Sequence, residues 1–288
     1  MKTSVLPMII SNRAAPWTRG QVLEQSQSAN TLSRLMALCG SIAVLMAHPS
    51  MGLAQSGGPR AIEQIKPSIV AVGTFQRTRN PQFRFLGTGF AVGNGSFVAT
   101  NAHVIPKMLD SEQNESVVIA LPSAGAKVQV RAARKVASEA SADLALLRID
   151  GPPLPPLRLG NSALVHEGET YFFTGFPIGE AIGLFPTTHR AMISAVTPIA
   201  IPQARANQLE ARALRQLAEG AYPIFQLDAT AYPGNSGSPL YRPETAEVIG
   251  IINMVFVKGS KETALTEPSG ISYAIPIQHL KDLLERSR

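Results

Sequence analysis

Short apolar runs, broken repeatedly by Gly or Pro, are the main pattern along the chain. Runs of this length, bounded by turn residues, are typical of β-strands. In the first half of the chain this pattern predicts a series of strands, and the hairpin signal "GNG" joins the second strand to the third. These strands are Ile69–Phe75, two strands within "FRFLGTGFAVGNGSFVATNAHVI", Val117–Leu121, Val128–Val136 and Leu144–Ile149.

A Pro-rich stretch, Asp150–Ser162, interrupts this pattern and is predicted to link two halves. The strand pattern then resumes in "TYFFTGFP", "RAMISAVTPI", "IFQLDATA", "EVIGIINMVFV" and "GISYAIPI". No internal repeat is visible in the sequence. Roughly six strands on each side of the connector predict an all-β protein of two packed six-stranded antiparallel β-barrels. We expect the first barrel at residues 62–165 and the second at residues 166–275.

Two helices are expected beside these barrels. Residues 276–288 carry leucines at helical spacing in "IPIQHLKDLLER", which predicts a C-terminal helix docked on the body. Residues 203–220, "QARANQLEARALRQLAEG", are Ala-rich and end in Gly220, a good C-cap. This second pattern predicts a helix inserted in the C-terminal barrel.

Residues 1–54 are expected to be a leader, followed by a flexible linker at residues 55–61. The apolar run Leu35–Ala47 follows an arginine, and the small residues Gly52 and Ala54 suit a signal peptidase. Since a membrane span needs about 20 apolar residues, a cleaved export signal is favoured, with the bacterial periplasm or secretion as destination. An uncleaved membrane anchor and an organellar transit peptide are the alternatives.

Charge and cysteine content exclude several functions. The net charge is +6 and the pI about 9.7, but the leader carries half of that charge. The remainder is only mildly basic, so no nucleic-acid partner is expected. The chain has no zinc pattern or phosphate-binding glycine loop, and no metal or cofactor is expected. The one cysteine, Cys39, lies in the leader, which leaves the mature part without a disulfide.

The stretch "AYPGNSGSPL", Ala231–Leu240, surrounds Ser236 with residues of unusual backbone preference. A surface turn is one interpretation, since Gly, Pro, Asn and Ser are common turn formers. The other is a nucleophilic serine on a tight loop, with backbone N–H groups directed at a developing negative charge. A nucleophile also needs a base and a group that orients the base.

Four histidines follow the leader, namely His103, His166, His189 and His279, and each taken alone is more typical of a structural or solvated residue. His103 stands where an apolar strand ends. Asp143, in "SADLALLRI", begins another apolar strand. A buried carboxylate is costly unless paired, and a histidine would supply the partner. A strand-start cap or a turn residue is the alternative for Asp143.

Taken together, "TNAHV", "ADLALL" and "PGNSGSPL" resemble the trypsin-like serine peptidases, and most closely the HtrA-like (DegP-like) branch. "GTGF", "FPIG", "ISAV" and "VIGI" extend the resemblance over about residues 62–277. The resemblance implies two six-stranded barrels with the active site between them. It also implies Ser236 as nucleophile, His103 as base, Asp143 as the orienting acid, and the N–H groups of Gly234 and Ser236 as the oxyanion hole.

Some positions depart from that family. Ser238 stands where most HtrA-like sequences have Gly. In the substrate pocket the resemblance points to Thr230, Ile252 and Asn253, and all three are uncharged. We therefore expect a preference for an apolar side chain before the scissile bond. The alternative is a partly closed pocket in which Ile252 belongs to the core.

The resemblance also bears on assembly and regulation. HtrA-like proteins usually carry a C-terminal PDZ domain, and none is expected in the residues that follow Ile277. The family is often trimeric, so a homo-oligomer is considered, and the predicted helix 203–220 falls where the family has a regulatory loop. We expect a serine endopeptidase acting on polypeptides. The alternative is a binding or chaperone-like module whose oxyanion loop is inactive at rest.

Overall fold

The computed structural model describes residues 57–122, 128–179, 183–198, 222–253 and 270–287. The predicted leader at residues 1–54 and the predicted helix at residues 203–220 lie outside these ranges. The described residues form two closed barrels, a helix before the first and a helix after the second.

The first barrel has six antiparallel strands in the order β1-β2-β3-β6-β5-β4, and β4 closes onto β1. The pattern of apolar runs predicted all six. The "GNG" hairpin joins β2 and β3 as expected. The strands are β1 (Ile69–Phe75), β2 (Phe83–Val92), β3 (Phe97–Asn101), β4 (Ser116–Leu121), β5 (Gln129–Glu139) and β6 (Leu144–Ile149).

The second barrel has the equivalent order β7-β8-β9-β12-β11-β10, with β10 closing onto β7. Five of its strands match predicted runs. Strand β10 has only three residues, too few to produce a recognisable pattern. The strands are β7 (Thr170–Gly175), β8 (Thr187–Pro198), β9 (Pro223–Asp228), β10 (Pro239–Tyr241), β11 (Val248–Asn253) and β12 (Ile271–Pro276).

Three buried apolar clusters hold this architecture together. One fills the first barrel, around Val72 and Leu147, and one fills the second, around Phe173 and Ile252. The third cluster contains residues of both barrels and of both helices. Since apolar burial contributes roughly 25 cal/mol per Å², this shared cluster fixes one barrel against the other and so fixes the cleft between them.

The two helices bury their apolar faces against the barrels. Helix α1 (Gly58–Ile65) begins inside the segment 55–61, where a flexible linker was expected. The linker prediction is therefore wrong from Gly58 onward. Pro59 is tolerated in a first helical turn, and Ala61 and Ile65 anchor the helix by burial.

Helix α2 (Gln278–Arg286) lies within the predicted C-terminal helix and buries Leu280 and Leu283. Both leucines belong to the cluster shared by the two barrels. No helix within the described ranges is both long enough and apolar enough to cross a membrane.

Candidate active site

His103 lies in a short 3₁₀ turn, Ala102–Val104, directly after β3. Val104 is buried and anchors this turn, whereas the His103 side chain is 27% exposed and faces the cleft. The turn thus places the His103 imidazole at the edge of the first barrel, directly after β3 and without an intervening loop.

Asp143 lies in the turn between β5 and β6 with φ at +54°. Asp tolerates this left-handed conformation better than most residues. The Asp143 carbonyl accepts hydrogen bonds from the Ala102 N–H at 2.8 Å and from Asn101 Nδ2 at 3.3 Å. These bonds attach the Asp143 turn to the segment that carries His103.

The Asp143 carboxylate is buried, with only 2% of its side chain exposed. Its Oδ2 lies 2.6 Å from His103 Nδ1, and its Oδ1 accepts the His103 backbone N–H at 3.1 Å. Asn253 Nδ2 donates to the same carboxylate at 3.0 Å. These donors compensate for the desolvation of the buried charge and fix the orientation of the imidazole.

Ser236 Oγ lies 3.0 Å from His103 Nε2. When the Nδ1–H of His103 is donated to Asp143, Nε2 has no proton and is the acceptor for the serine hydroxyl. The three residues singled out in the sequence are therefore joined by hydrogen bonds, in the order required to activate a serine.

The loop that carries Ser236 depends on two glycines with positive φ, Gly234 at +101° and Gly237 at +88°. A Cβ on Gly234 would overlap the Phe176 carbonyl oxygen, and one on Gly237 would overlap the Thr88 carbonyl oxygen. Both positions thus need glycine for its torsions and for its lack of a side chain.

Every carbonyl from Pro233 to Ser236 accepts a hydrogen bond. The donors are the Ile178 N–H to Pro233 at 2.7 Å, Thr88 Oγ1 to Gly234 at 2.7 Å, the Ser238 N–H to Asn235 at 3.0 Å and the Thr88 N–H to Ser236 at 2.9 Å.

These carbonyl bonds also orient the neighbouring N–H groups. In a trans peptide the C=O and the N–H point in opposite directions. Bonding the Pro233 and Asn235 carbonyls therefore orients the next N–H groups, those of Gly234 and Ser236. Within the described part of the chain, neither of these two N–H groups donates a hydrogen bond.

The residues expected in a substrate pocket lie in different surroundings. Thr230 is half-buried in the loop after β9. Ile252 is fully buried in the core of the second barrel. The Asn253 side chain is directed at Asp143. Ser238 is fully buried, and its Oγ has no hydrogen-bond partner among the described residues.

Among the described residues, none of the other three histidines forms a hydrogen bond with Ser236. His166 is mostly exposed. His189 stacks on Phe173 with ring centroids 4.8 Å apart, and burial lowers the pKa of its imidazole. His279 packs against Tyr222, and burial also lowers its pKa.

The sequence does not predict two contacts that support the site. It predicts a pocket role for Asn253, whose side chain instead contacts Asp143, 110 positions away in the chain. Thr88 lies in "GTGF", which served only as a mark of resemblance. No sequence pattern around either residue identifies its hydrogen-bond partner.

Two six-stranded barrels with a Ser-His-Asp constellation between them are the architecture of the chymotrypsin-type serine peptidases. The profile of a family described as "Trypsin-like peptidase domain" matches residues 87–251, more than half of the chain. The chain belongs to the trypsin-like peptidase family.

Within that family the chain is similar to DegP-like proteins. It is 29% identical over 206 residues to a "Probable periplasmic serine endoprotease DegP-like" of Halomonas elongata, covering 71% of this chain and 35% of the relative. A protein of the same name from Pseudomonas putida (strain F1) is 29% identical over 200 residues, covering 69% and 34%. The chain thus spans about a third of the length of these relatives.

A solved structure of an HtrA-type protease, AlgW, described as carrying a tripeptide, has the same fold. It aligns with a TM-score of 0.54 and 24% identity, covering 79% of this chain and 62% of the other. The chain is therefore a homologue of trypsin-like serine endoproteases with a Ser-His-Asp arrangement in its cleft.

Proposed function

We propose that this protein is a serine endopeptidase that cleaves polypeptides through an acyl-enzyme. The observation that carries the proposal is the continuous set of contacts from Asp143 Oδ2 to His103 at 2.6 Å and from His103 to Ser236 Oγ at 3.0 Å. A structural histidine would need only one of these partners. A histidine held between a buried carboxylate and a serine is arranged for proton transfer.

In the proposed mechanism Ser236 Oγ attacks the carbonyl carbon of the scissile peptide while His103 Nε2 takes its proton. Asp143 stabilises the imidazolium that forms. The N–H groups of Gly234 and Ser236 form the oxyanion hole. This role is supported by the bonds to the preceding carbonyls, which orient these N–H groups, and by the absence of a hydrogen bond donated by either group among the described residues. His103 then gives the proton to the leaving amine, and water attacks the acyl-serine by the same route in reverse.

We also propose that the side chain before the scissile bond is apolar. The support is chemical, since Thr230 and its neighbour Ala231 are uncharged and the Asn253 side chain is already bonded to Asp143. Neither Thr230 nor Ala231 can pair with a charged side chain of a substrate. A library of peptides that differ only at this residue would test the idea. Faster cleavage after Asp, Glu, Lys or Arg than after Val, Ala or Leu would contradict it.

For the cellular role we propose protein quality control or processing in the bacterial envelope, after export. The support is the apolar segment Leu35–Ala47 behind an arginine, together with relatives whose names describe them as periplasmic. Fractionation of cells that express the full chain, with mass spectrometry of the mature N-terminus, would test export. An intact N-terminus in the membrane fraction would favour the anchor, and one in the cytoplasm would contradict export.

The proposed activity is tested by labelling the folded protein with a fluorophosphonate probe, which reacts with activated serines. Wild type should be labelled and Ser236→Ala should not. Ser238→Ala is the matched control, because it removes a neighbouring buried hydroxyl that has no contact with His103, and it should still be labelled. A folded wild type that resists the probe would contradict the proposal and favour the binding-module alternative.

A further inference from the structure

Thr88 lies on β2 of the first barrel, in the "GTGF" segment, and is fully buried. Its backbone N–H donates to the Ser236 carbonyl at 2.9 Å, which crosses from the first barrel to the loop of the second. Its carbonyl accepts the Thr100 hydroxyl at 2.7 Å. Thr88 is therefore held in the first barrel by hydrogen bonds and contacts the loop that carries Ser236, here called the nucleophile loop.

The side-chain hydroxyl of Thr88 has two further partners. It accepts the Phe176 N–H at 3.1 Å, and it donates to the Gly234 carbonyl at 2.7 Å. The direction of these bonds is unambiguous, because a backbone N–H only donates and a carbonyl only accepts. One hydroxyl thus connects β2, the segment after β7 and the nucleophile loop.

Gly234 is the position where such a restraint has the greatest effect. Without a Cβ, and at φ +101°, its backbone is not restricted by local sterics to a single orientation. The peptide before Gly234 is held by the Ile178 N–H on the Pro233 carbonyl. The peptide after Gly234 is held through its carbonyl by Thr88 Oγ1. The two bonds together hold the peptide groups on both sides of Gly234, the residue whose N–H is proposed to bind the oxyanion.

We propose that Thr88 is a positioning residue of the oxyanion hole, whose side-chain hydroxyl sets the orientation of the Gly234 peptide. This inference rests on the proposed peptidase function. Thr88 touches no reacting atom and acts through Gly234. The hydroxyl is separable from the packing role of the residue, because the Thr88 N–H bond to Ser236 and the Thr88 carbonyl bond to Thr100 remain when Oγ1 is removed.

The primary test compares Thr88→Val, which keeps the branched shape and removes the hydroxyl, with Thr88→Ser, which keeps the hydroxyl. Removing an entire oxyanion donor costs roughly 10²–10³ in kcat. Because the Gly234 N–H is misoriented rather than lost, Thr88→Val should lower kcat by about 10-fold to 100-fold, on the scale of one net hydrogen bond to a developing charge. KM should change by less than about twofold, since ground-state binding does not use the hole. Thr88→Ser should restore most of kcat.

A second measurement separates positioning from a general structural effect. A peptide aldehyde adds to Ser236 and forms an oxyanion, whereas the peptide alcohol of the same sequence binds without one. Thr88→Val should weaken the aldehyde by at least about tenfold and leave the alcohol unchanged, because only the former needs the hole.

The matched control is Thr74→Val in β1. Thr74 is equally buried, and its hydroxyl bonds to Glu115 at 2.6 Å, away from the cleft. This variant should lose stability and keep the aldehyde-to-alcohol ratio of wild type. If Thr88→Val does not fold, Thr88→Cys replaces it, since a thiol is a weak donor of similar size. The kcat of Thr88→Cys should lie between that of Thr88→Ser and that expected for Thr88→Val.

Several outcomes would overturn the proposal. One is a folded Thr88→Val with the kcat and aldehyde affinity of wild type. Another is a folded Thr88→Ser that is as impaired as Thr88→Val, which would assign the effect to the lost methyl group. An inert wild type would contradict the proposed function itself, and with it the need for a positioned hole. If wild type is active and Thr88→Val has the same kcat and aldehyde affinity, only the role of Thr88 is contradicted and the proposed function stands.

Discussion

The loops after the third strand of each barrel occupy the same topological position, since the two barrels share one strand order. The loop after β3 carries His103, and the loop after β9 carries Ser236. In the first barrel the functional residue follows its strand at once, in a short 3₁₀ turn. In the second barrel it lies farther along, between two glycines with positive φ.

The two loops are held in place by different means. His103 is oriented by side-chain chemistry, through a buried carboxylate that bonds both its ring and its backbone N–H. Ser236 is oriented by backbone chemistry, because the carbonyls around it are all bonded and its glycines admit no Cβ. We infer that the first loop is sensitive to the identity of side-chain donors, and the second to any change in backbone torsion.

The largest expected effect comes from removing the residues that the two loops bring together. Ser236→Ala and His103→Ala should each lower kcat by about 10⁶, and the double variant should be no slower, because residues that act as a unit are not additive. Active-site titration and peptide hydrolysis would measure this. Additive losses would show that the two loops contribute independently.

Asp143→Asn tests the side-chain half of the comparison. The amide keeps the shape of the carboxylate but favours the wrong imidazole tautomer, so kcat should fall by about 10⁴. Thermal unfolding should show a folded protein, since the carbonyl bonds from Ala102 and Asn101 do not use the carboxylate. A loss of kcat below tenfold would mean that Asp143 does not orient His103.

Gly234→Ala tests the backbone half. The added methyl overlaps the Phe176 carbonyl oxygen and must turn the Gly234 N–H away, so kcat should fall by about 10²–10³. The control is Gly168→Ala, at φ +86°, where a Cβ meets no atom within 4 Å. Gly168→Ala should cost about 1 kcal/mol of unfolding free energy and leave kcat unchanged. Equal kcat losses in both variants would assign the effect to general strain.

Asn253→Ala tests how much a hydrogen bond from the second barrel contributes to the function of Asp143 in the first barrel. Its amide donates to Asp143 Oδ2, and a hydrogen bond to a charged group contributes about 1.5–3 kcal/mol. We expect kcat to fall by about tenfold with KM unchanged. Asn161→Ala is the control, because Asn161 is exposed and, among the described residues, its side chain bonds only the nearby Ala163 N–H. If both variants keep full activity, Asn253 has no positioning role.

The smallest expected effect concerns stability and pH. Burial lowers the pKa of His189 on β8 below its ordinary value of 6.5, so the folded state favours the neutral ring. The unfolded chain then binds more protons at mildly acidic pH, and the stability present above about pH 6.5 falls as the pH is lowered. His189→Gln should reduce this slope in urea titrations between pH 7 and pH 5. An unchanged slope would contradict the prediction.

The sequence by itself determined most of the strands and the candidate residues. Strands β1 and β6 were predicted with the bounds observed, because continuous apolar runs between turn residues record burial directly. His103, Asp143 and Ser236 stood out because three short motifs together resemble a known family, whereas none of these residues was decisive when taken alone. Strand β10 was missed since three residues make no period, and the linker prediction failed because a short helix depends on the surface that it covers.

Only the tertiary structure decided how those residues are supported. It revealed one strand order repeated in two barrels without a visible sequence repeat, and it paired Asn253 with Asp143 and Thr88 with Gly234. These pairs lie 110 and 146 positions apart. A local pattern records whether a residue is buried and in what conformation. It does not record which distant polar group a hydroxyl or an amide meets, because that depends on how the chain closes both barrels and packs them together.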